Sequence, residues 1–278
     1  MTTLLIVNAD DYGLTSGVSQ GIRRAFLEGI LTSTTAMMNQ PSVRIELPKA
    51  LKQCFGLGLG VHLTLTAGAP LLPAEKISSL VNANGTFYTR EAFIKRLAQI
   101  DPDEALAEWR AQVDKFIQIT GRKPDHLDSH HHSSYFTPAL FERMLTLAAE
   151  LGCAIRNPYG ADAASAGPYL PGGQLKVDFA AVQTLLVKFK PRSTQGFCGD
   201  FYGDTATLPY LQRLLERISA SPLTTWELMC HPAVVDDRLR KISSYSEART
   251  QELQVLTDPG LDGFLTPLQI ELAHFGKD

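Results

Sequence analysis

No two of the four cysteines, Cys54, Cys153, Cys198 and Cys230, stand close enough for a CxxC pair. That excludes a zinc ribbon and a dithiol redox motif, and scattered cysteines in a chain of this size read as reduced thiols of a cytoplasmic protein. Basic clusters are also missing. The densest, Arg238 to Lys241, is too short for an electrostatic footprint and the net charge is -3, so nucleic acid is not an expected partner. No apolar run comes near the roughly 20 residues of a membrane span. The start, Leu4-Leu5-Ile6-Val7, soon meets two aspartates and lacks the basic lead of a signal peptide, so no membrane association is expected. The absence of a Gly-x-Ser-x-Gly elbow argues against a serine hydrolase, and without a GxGxxG or Walker loop nucleotide binding has no support. The 16 prolines and 21 glycines gather into no linker, and no repeat or composition break divides the chain. Residues 1–278 therefore read as a single domain, a size that one α/β barrel reaches.

What is present is an alternation of short apolar runs with longer amphipathic ones, the pattern of β/α units around a parallel sheet. Strands are predicted at Leu4–Val7, Thr32–Met38, Leu57–Leu65, Asp125–Leu127 and Thr224–Cys230. Thr15 or Ser16 caps a helix with Val18, Ile22 and Phe26 on one face, ended by Gly29. Asp101-Pro102 opens another, with Glu104 at the reciprocal capping position, Leu106, Trp109, Val113 and Phe116 along a core-facing stripe, and Gly121 at its end. Further helices are predicted from Thr137-Pro138 and over Tyr245–Leu256. The span from Asn157 to Ala206 reads as long loops around a helix at Phe179–Phe189, and such loops commonly shape a substrate site.

The ionisable residues fall where those strands end. Asp10 and Asp11 follow the first, His62 lies late in the third, and Asp128, His130, His131 and His132 follow the strand at Asp125–Leu127. Glu227 lies in the strand that His231 follows. In parallel β/α folds these ends converge on one rim, where active sites are built. Carboxylate and imidazole on one rim suggest a divalent metal with open positions, a bound water of lowered pKa, a spare carboxylate as base and a spare histidine as acid. Each piece has a plainer reading. An Asp-Asp pair serves turns and caps, a lone strand histidine is often a core residue, and loop histidines are often surface groups. Four such groups on one rim favour a metal site, with the reaction type open.

At these residues the chain resembles the YdjC family of carbohydrate deacetylases. The matching stretches are 4–13 (LLIVNADDYG), 31–36 (LTSTTA), 60–62 (GVH), 121–132 (GRKPDHLDSHHH), 195–197 (QGF), 201–203 (FYG) and 227–233 (ELMCHPA), in family order. The resemblance implies a distorted (β/α) barrel of the polysaccharide-deacetylase type. It implies one divalent ion, Mg2+ or Zn2+, on Asp11, His62 and His130, with Asp10 as base and His231 as acid. The implied reaction removes an N-acetyl group from chitooligosaccharides such as diacetylchitobiose and releases acetate. His132, Arg156, Glu227 and Tyr12 are read as substrate-contacting, Arg156 either touching sugar or pairing with an acid. Tyr12, Tyr135, Phe201 and Tyr202 are candidate stacking surfaces for sugar rings. Two positions depart from the family pattern: Ser134 stands where a third histidine is usual, and Ala233 follows Pro232 where many relatives have glycine. The expected partner is a small N-acetylated oligosaccharide, with the oligomeric state open, a homodimer included. Competing readings are a deacetylase of another N-acetylated sugar or of a hopanoid-type glycolipid, which needs an apolar cleft, and a non-catalytic sugar binder, which would have lost a ligand or the base. A two-histidine-one-carboxylate iron oxygenase would release no acetate.

Overall fold

The opening strand β1 runs over ten residues, Thr3–Tyr12, and so carries both aspartates inside it rather than after it. The computed structural model describes residues 2–159 and 178–276. After β1 come α1 (Ser16–Glu28), β2 (Ser33–Ala36), α2 (Val43–Gln53), β3 (Gly58–Leu63), α3 (Arg90–Lys95), α4 (Pro102–Thr120), β4 (His126–Ser129), α5 (Pro138–Leu151) and β5 (Ala154–Ile155). The second half holds α6 (Phe179–Phe189), β6 (Gly196–Cys198), α7 (Leu208–Ser219), β7 (Thr225–Cys230), α8 (Asp237–Ile242), α9 (Ala248–Leu256), α10 (Leu261–Leu265) and β8 (Ile270–Ala273). The predicted loop span 157–206 contains α6 as expected, and its part at 160–177 lies outside the described residues.

The strands form one parallel sheet in the order β5-β4-β3-β2-β1-β7-β6, an incomplete (β/α) barrel. One edge of β1 is shared: β8 pairs with Thr3–Ile6, and β2 takes over from Asn8. Among the described residues no strand pairing joins β5 to β6, but a backbone bond from Ile155 N to Arg192 O (2.9 Å) spans the gap.

Strand alternation sorts the residues of β1. Leu5, Val7 and Ala9 join the main apolar core, whereas Ile6 belongs to a separate cluster with Ala154 and Phe275, the floor of the barrel interior. Above that floor the interior is polar. His126 stacks on Phe275 at 4.1 Å and its Nε2 meets Asn8 Oδ1 at 3.0 Å. Gly60 explains why β3 tolerates a residue of low strand propensity. A Cβ there would lie 2.6 Å from the His126 ring, so glycine makes room for an imidazole inside the barrel. β1 reads as four apolar residues but extends further for the same reason: its inward positions, Asn8 and Asp10, face a polar interior.

The helix signals hold with two corrections, the first being that the helix predicted from Tyr245 begins at Ala248. Thr15 Oγ1 accepts from Val18 N, and Trp109, Val113 and Phe116 of α4 are at most 2% exposed. Asp101 caps α4 through Asp103 N, but Glu104 does not reach back to it; its carboxylate accepts from Ser79 N at 2.8 Å and ties down the preceding loop.

Candidate metal centre and active site

Two backbone departures bring the site together. In a regular strand Asp10 and Asp11 would point to opposite faces. Asp11 instead adopts φ 71°, in the left-handed region that Asp tolerates better than most residues, and the β1–β2 register slips between Ala9 and Tyr12. Both carboxylates consequently line one cavity of about 950 Å3. At the end of β4 a tight turn does the same for three consecutive histidines. His131 (φ 54°) and His132 (φ 57°) are left-handed, and His130, His131 and His132 all line the cavity. Ser134 is buried in this turn, its Oγ 2.8 Å from Ser129 Oγ, so the departure at that position fixes the turn and leaves the cavity wall to other residues.

Asp11 Oδ1 lies 3.3 Å from His62 Nε2 and 3.0 Å from His130 Nδ1. That oxygen is buried and makes no hydrogen bond, which is costly unless something else occupies its lone pairs. The other oxygen, Oδ2, accepts from Arg249 at 2.6 Å. One carboxylate and two imidazoles from three different strand ends, with donor atoms within 4.8 Å of one another, fit a divalent ion. The field agrees. Burial opposes a charge on His62, yet the carboxylates of Asp128 and Asp10 outweigh it and lift the imidazole to about 10. A site that draws a proton so strongly would draw a cation too. The alternative trio of Asp10, His62 and Asp128 fits less well, because both Asp128 oxygens are already taken by His62 Nδ1, Thr35 and Arg156.

Asp10 is gripped from below. Arg156 donates to its two oxygens at 2.8 and 2.7 Å and also reaches Asp128 Oδ2 (3.1 Å) and Glu227 Oε1 (2.8 Å). Burial pushes against the Asp10 charge, but this guanidinium and His62 hold its carboxyl well below the usual range. Glu227, fully buried, is pushed up to about 7 by burial in spite of Arg156. His231 Nε2 stands 3.8 Å from Asp10 Oδ2, and burial holds its imidazole down at about 4. Its backbone N–H donates to Glu252, which also accepts from the Tyr245 hydroxyl. Tyr202 stacks on Tyr245 at 3.9 Å and leaves 45% of its surface open beside His231.

The structure thus brings Asp10, Asp11, His62, His130, His132 and His231 onto one cavity wall. Three expected sugar contacts are corrected. Arg156 and Glu227 are 0% exposed, and Arg156 binds both Glu227 and Asp10 beneath the cavity, so Arg156 takes its acid-pairing role. Tyr12, also 0% exposed, turns into the helix layer, where its hydroxyl donates to Glu46 O (2.6 Å) and accepts from Arg23 (2.8 Å). Tyr135 and Phe201 are likewise buried, at 1% and 0%, which leaves Tyr202 as the open stacking face. Arg249, Tyr245 and Glu252 were beyond sequence reasoning, because α9 and the turn before it, rather than a strand end, deliver them.

Removing the Arg156 guanidinium would leave three buried carboxylates without their counter-charge. Arg156→Met is expected to cost the metal-free protein about 3–5 kcal/mol. At this size that is a fall in Tm of roughly 6 °C or more. Thermal unfolding monitored by circular dichroism checks it, and a Tm within about 1 °C of wild type would contradict the account of the network.

Residues 4–266 match the family model described as YdjC-like protein. A carbohydrate deacetylase of Brevibacillus brevis is 35% identical over 273 residues, covering 98% of each chain. A chitooligosaccharide deacetylase of Yersinia enterocolitica is 35% identical over 276 residues, covering 99% of each. A solved structure from Enterococcus faecalis V583, of a protein named for cellobiose-phosphate cleavage, superposes with a TM-score of 0.87 at 30% identity, covering 99% of this chain and 98% of that one. With near-complete coverage by the family model and by relatives at this identity, the chain belongs to the YdjC-like family.

Proposed function

We propose that the protein is a metal-dependent carbohydrate N-deacetylase that removes an acetyl group from short chitin-type sugars such as N,N′-diacetylchitobiose. The observation that carries the reading is the unbonded, buried Asp11 Oδ1 facing His62 and His130 on the wall of an open cavity. The relatives named for deacetylation of carbohydrates and chitooligosaccharides support the substrate class. A divalent ion on Asp11, His62 and His130 would polarise the acetamide carbonyl and lower the pKa of an attacking water. Two imidazole donors favour Zn2+ over Mg2+, which prefers oxygen.

The chain's own groups then divide the proton work. Asp10, kept ionised by Arg156, accepts a proton from the water as it attacks. His231 rests neutral and must gain a proton before it can serve the departing amine. With His231 Nε2 3.8 Å from Asp10 Oδ2, one bridging water or a small approach would carry the proton from Asp10 to His231 as the C–N bond breaks. Burial and the Arg156 charge hold His132 down at about 3, so it faces substrate as a neutral hydrogen-bonding group. The exposed face of Tyr202 suits a pyranose ring.

A glycolipid substrate would want an apolar mouth. Thr86, Thr89, Arg90, Ser243 and Ser244 line this one beside Phe87 and Ile242, a mixed lining that suits the polar edges and apolar faces of a sugar. A non-catalytic binder would have lost a ligand or the base, and this chain keeps Asp10, Asp11, His62 and His130. The test is mass spectrometry of diacetylchitobiose after incubation with zinc-loaded protein. One free amine and one acetate per sugar is the expected result; an unchanged sugar, with an N-acetylated glycolipid deacetylated instead, would overturn the substrate assignment.

A further inference from the structure

Asp128 touches none of the cavity surface, yet it sits directly behind a proposed metal ligand. We infer that Asp128, steadied by Thr35, is a positioning residue that fixes the tautomer and ring orientation of His62 and thereby sets the metal affinity of the centre. The inference rests on the reading of Asp11, His62 and His130 as the ligand set.

His62 Nδ1 lies 2.7 Å from Asp128 Oδ1, and Nε2 faces Asp11 Oδ1 at 3.3 Å. A carboxylate can only accept, so Nδ1 carries a hydrogen toward Asp128, and an ion bound in the cavity would take the place of any proton on Nε2 and use its lone pair. Asp128 Oδ2 is fixed in turn, by Thr35 Oγ1 at 2.9 Å and Arg156 Nη1 at 3.1 Å. With both oxygens occupied and no exposed surface, Asp128 holds a ligand and is not one itself. The arrangement is built into the sheet. The β3–β4 register places His62 opposite Asp128, and the β2–β3 register sets Thr35 opposite Gly60, so three neighbouring strands lock one ring. A carboxylate behind a ligating imidazole also makes the other nitrogen a stronger donor.

The test is calorimetric titration of zinc into metal-free wild type, Asp128→Asn and Thr35→Val, each confirmed folded by its unfolding transition. Asp128→Asn is expected to weaken zinc binding about 10- to 100-fold. Thr35→Val, which removes one neutral hydrogen bond, should weaken it about 2- to 10-fold. In zinc-loaded wild type, long-range proton–nitrogen spectra should place the His62 ring proton on Nδ1. A purely structural role would lower the melting temperatures and leave zinc affinity unchanged, which overturns the inference; so does a ring proton found on Nε2. Should Asp128→Asn fail to fold, unchanged affinity in Thr35→Val overturns it alone. Wild type that binds no zinc would overturn the ligand set as well, whereas tight wild-type binding with unaffected variants would overturn only the positioning role.

Discussion

Asp11→Asn is expected to lower turnover by at least about a thousandfold, because it removes the one anionic member of the proposed ligand set. The substitution keeps the shape but removes the charge that Asp11 Oδ1 directs between His62 and His130. It also deprives Arg249, which is 4% exposed, of the carboxylate it meets at 2.6 Å. Two losses should therefore appear together, in zinc affinity and in thermal stability. Zinc titration of the variant, made below its melting temperature, separates them. Affinity within about threefold of wild type, a difference of less than 1 kcal/mol, would show that the ion is held elsewhere.

Asp10→Asn should behave differently, and the contrast is the more informative result. Turnover is expected to fall about 10²- to 10⁴-fold, the usual value of a positioned general base. Zinc affinity should stay near wild type, because both Asp10 oxygens are committed to Arg156 and Asn8 rather than to the ligand cluster. Initial rates and zinc titration on one preparation check both halves. Retained turnover would remove Asp10 from its role as base. Loss of zinc together with turnover would instead make it a ligand.

How far the sequence carried these assignments depends on what each residue needs from the fold. The candidate site residues could be gathered from the sequence because they stand at or near the ends of different strands, which parallel topology brings together. The choice of Asp11, His62 and His130 as the proposed metal trio came from the family resemblance. Helix α4 was legible through Asp101, Pro102 and Gly121, which act within a turn of the chain. Helix α7 was not among the predicted helices, although it carries signals of the same kind: Thr207 as cap, Pro209 in the first turn and Leu211, Leu214, Leu215 and Ile218 on its buried face. Strands β5 and β6, of two and three residues, are too short to show a period. Tyr12 misled because a left-handed residue precedes it, and the side of a strand on which the next side chain emerges then no longer follows from counting. Glu227 could be placed on its strand, but neither it nor Arg156 could be placed beneath the cavity, since their pairing depends on the polar interior of the barrel. Arg249 meets Asp11 across 238 positions from a helix, and no local signal announces such a contact.

The central claim is that a metal held by Asp11, His62 and His130 drives removal of an acetyl group from a chitin-type sugar. Acetate release from N,N′-diacetylchitobiose by chelator-stripped protein, with Zn2+, Mg2+, Mn2+ or Co2+ added back in turn, tests it most directly. The account predicts no release from the stripped protein and recovery with a divalent ion, Zn2+ foremost. Undiminished release without metal, or none with any ion while the protein still binds one, would contradict it.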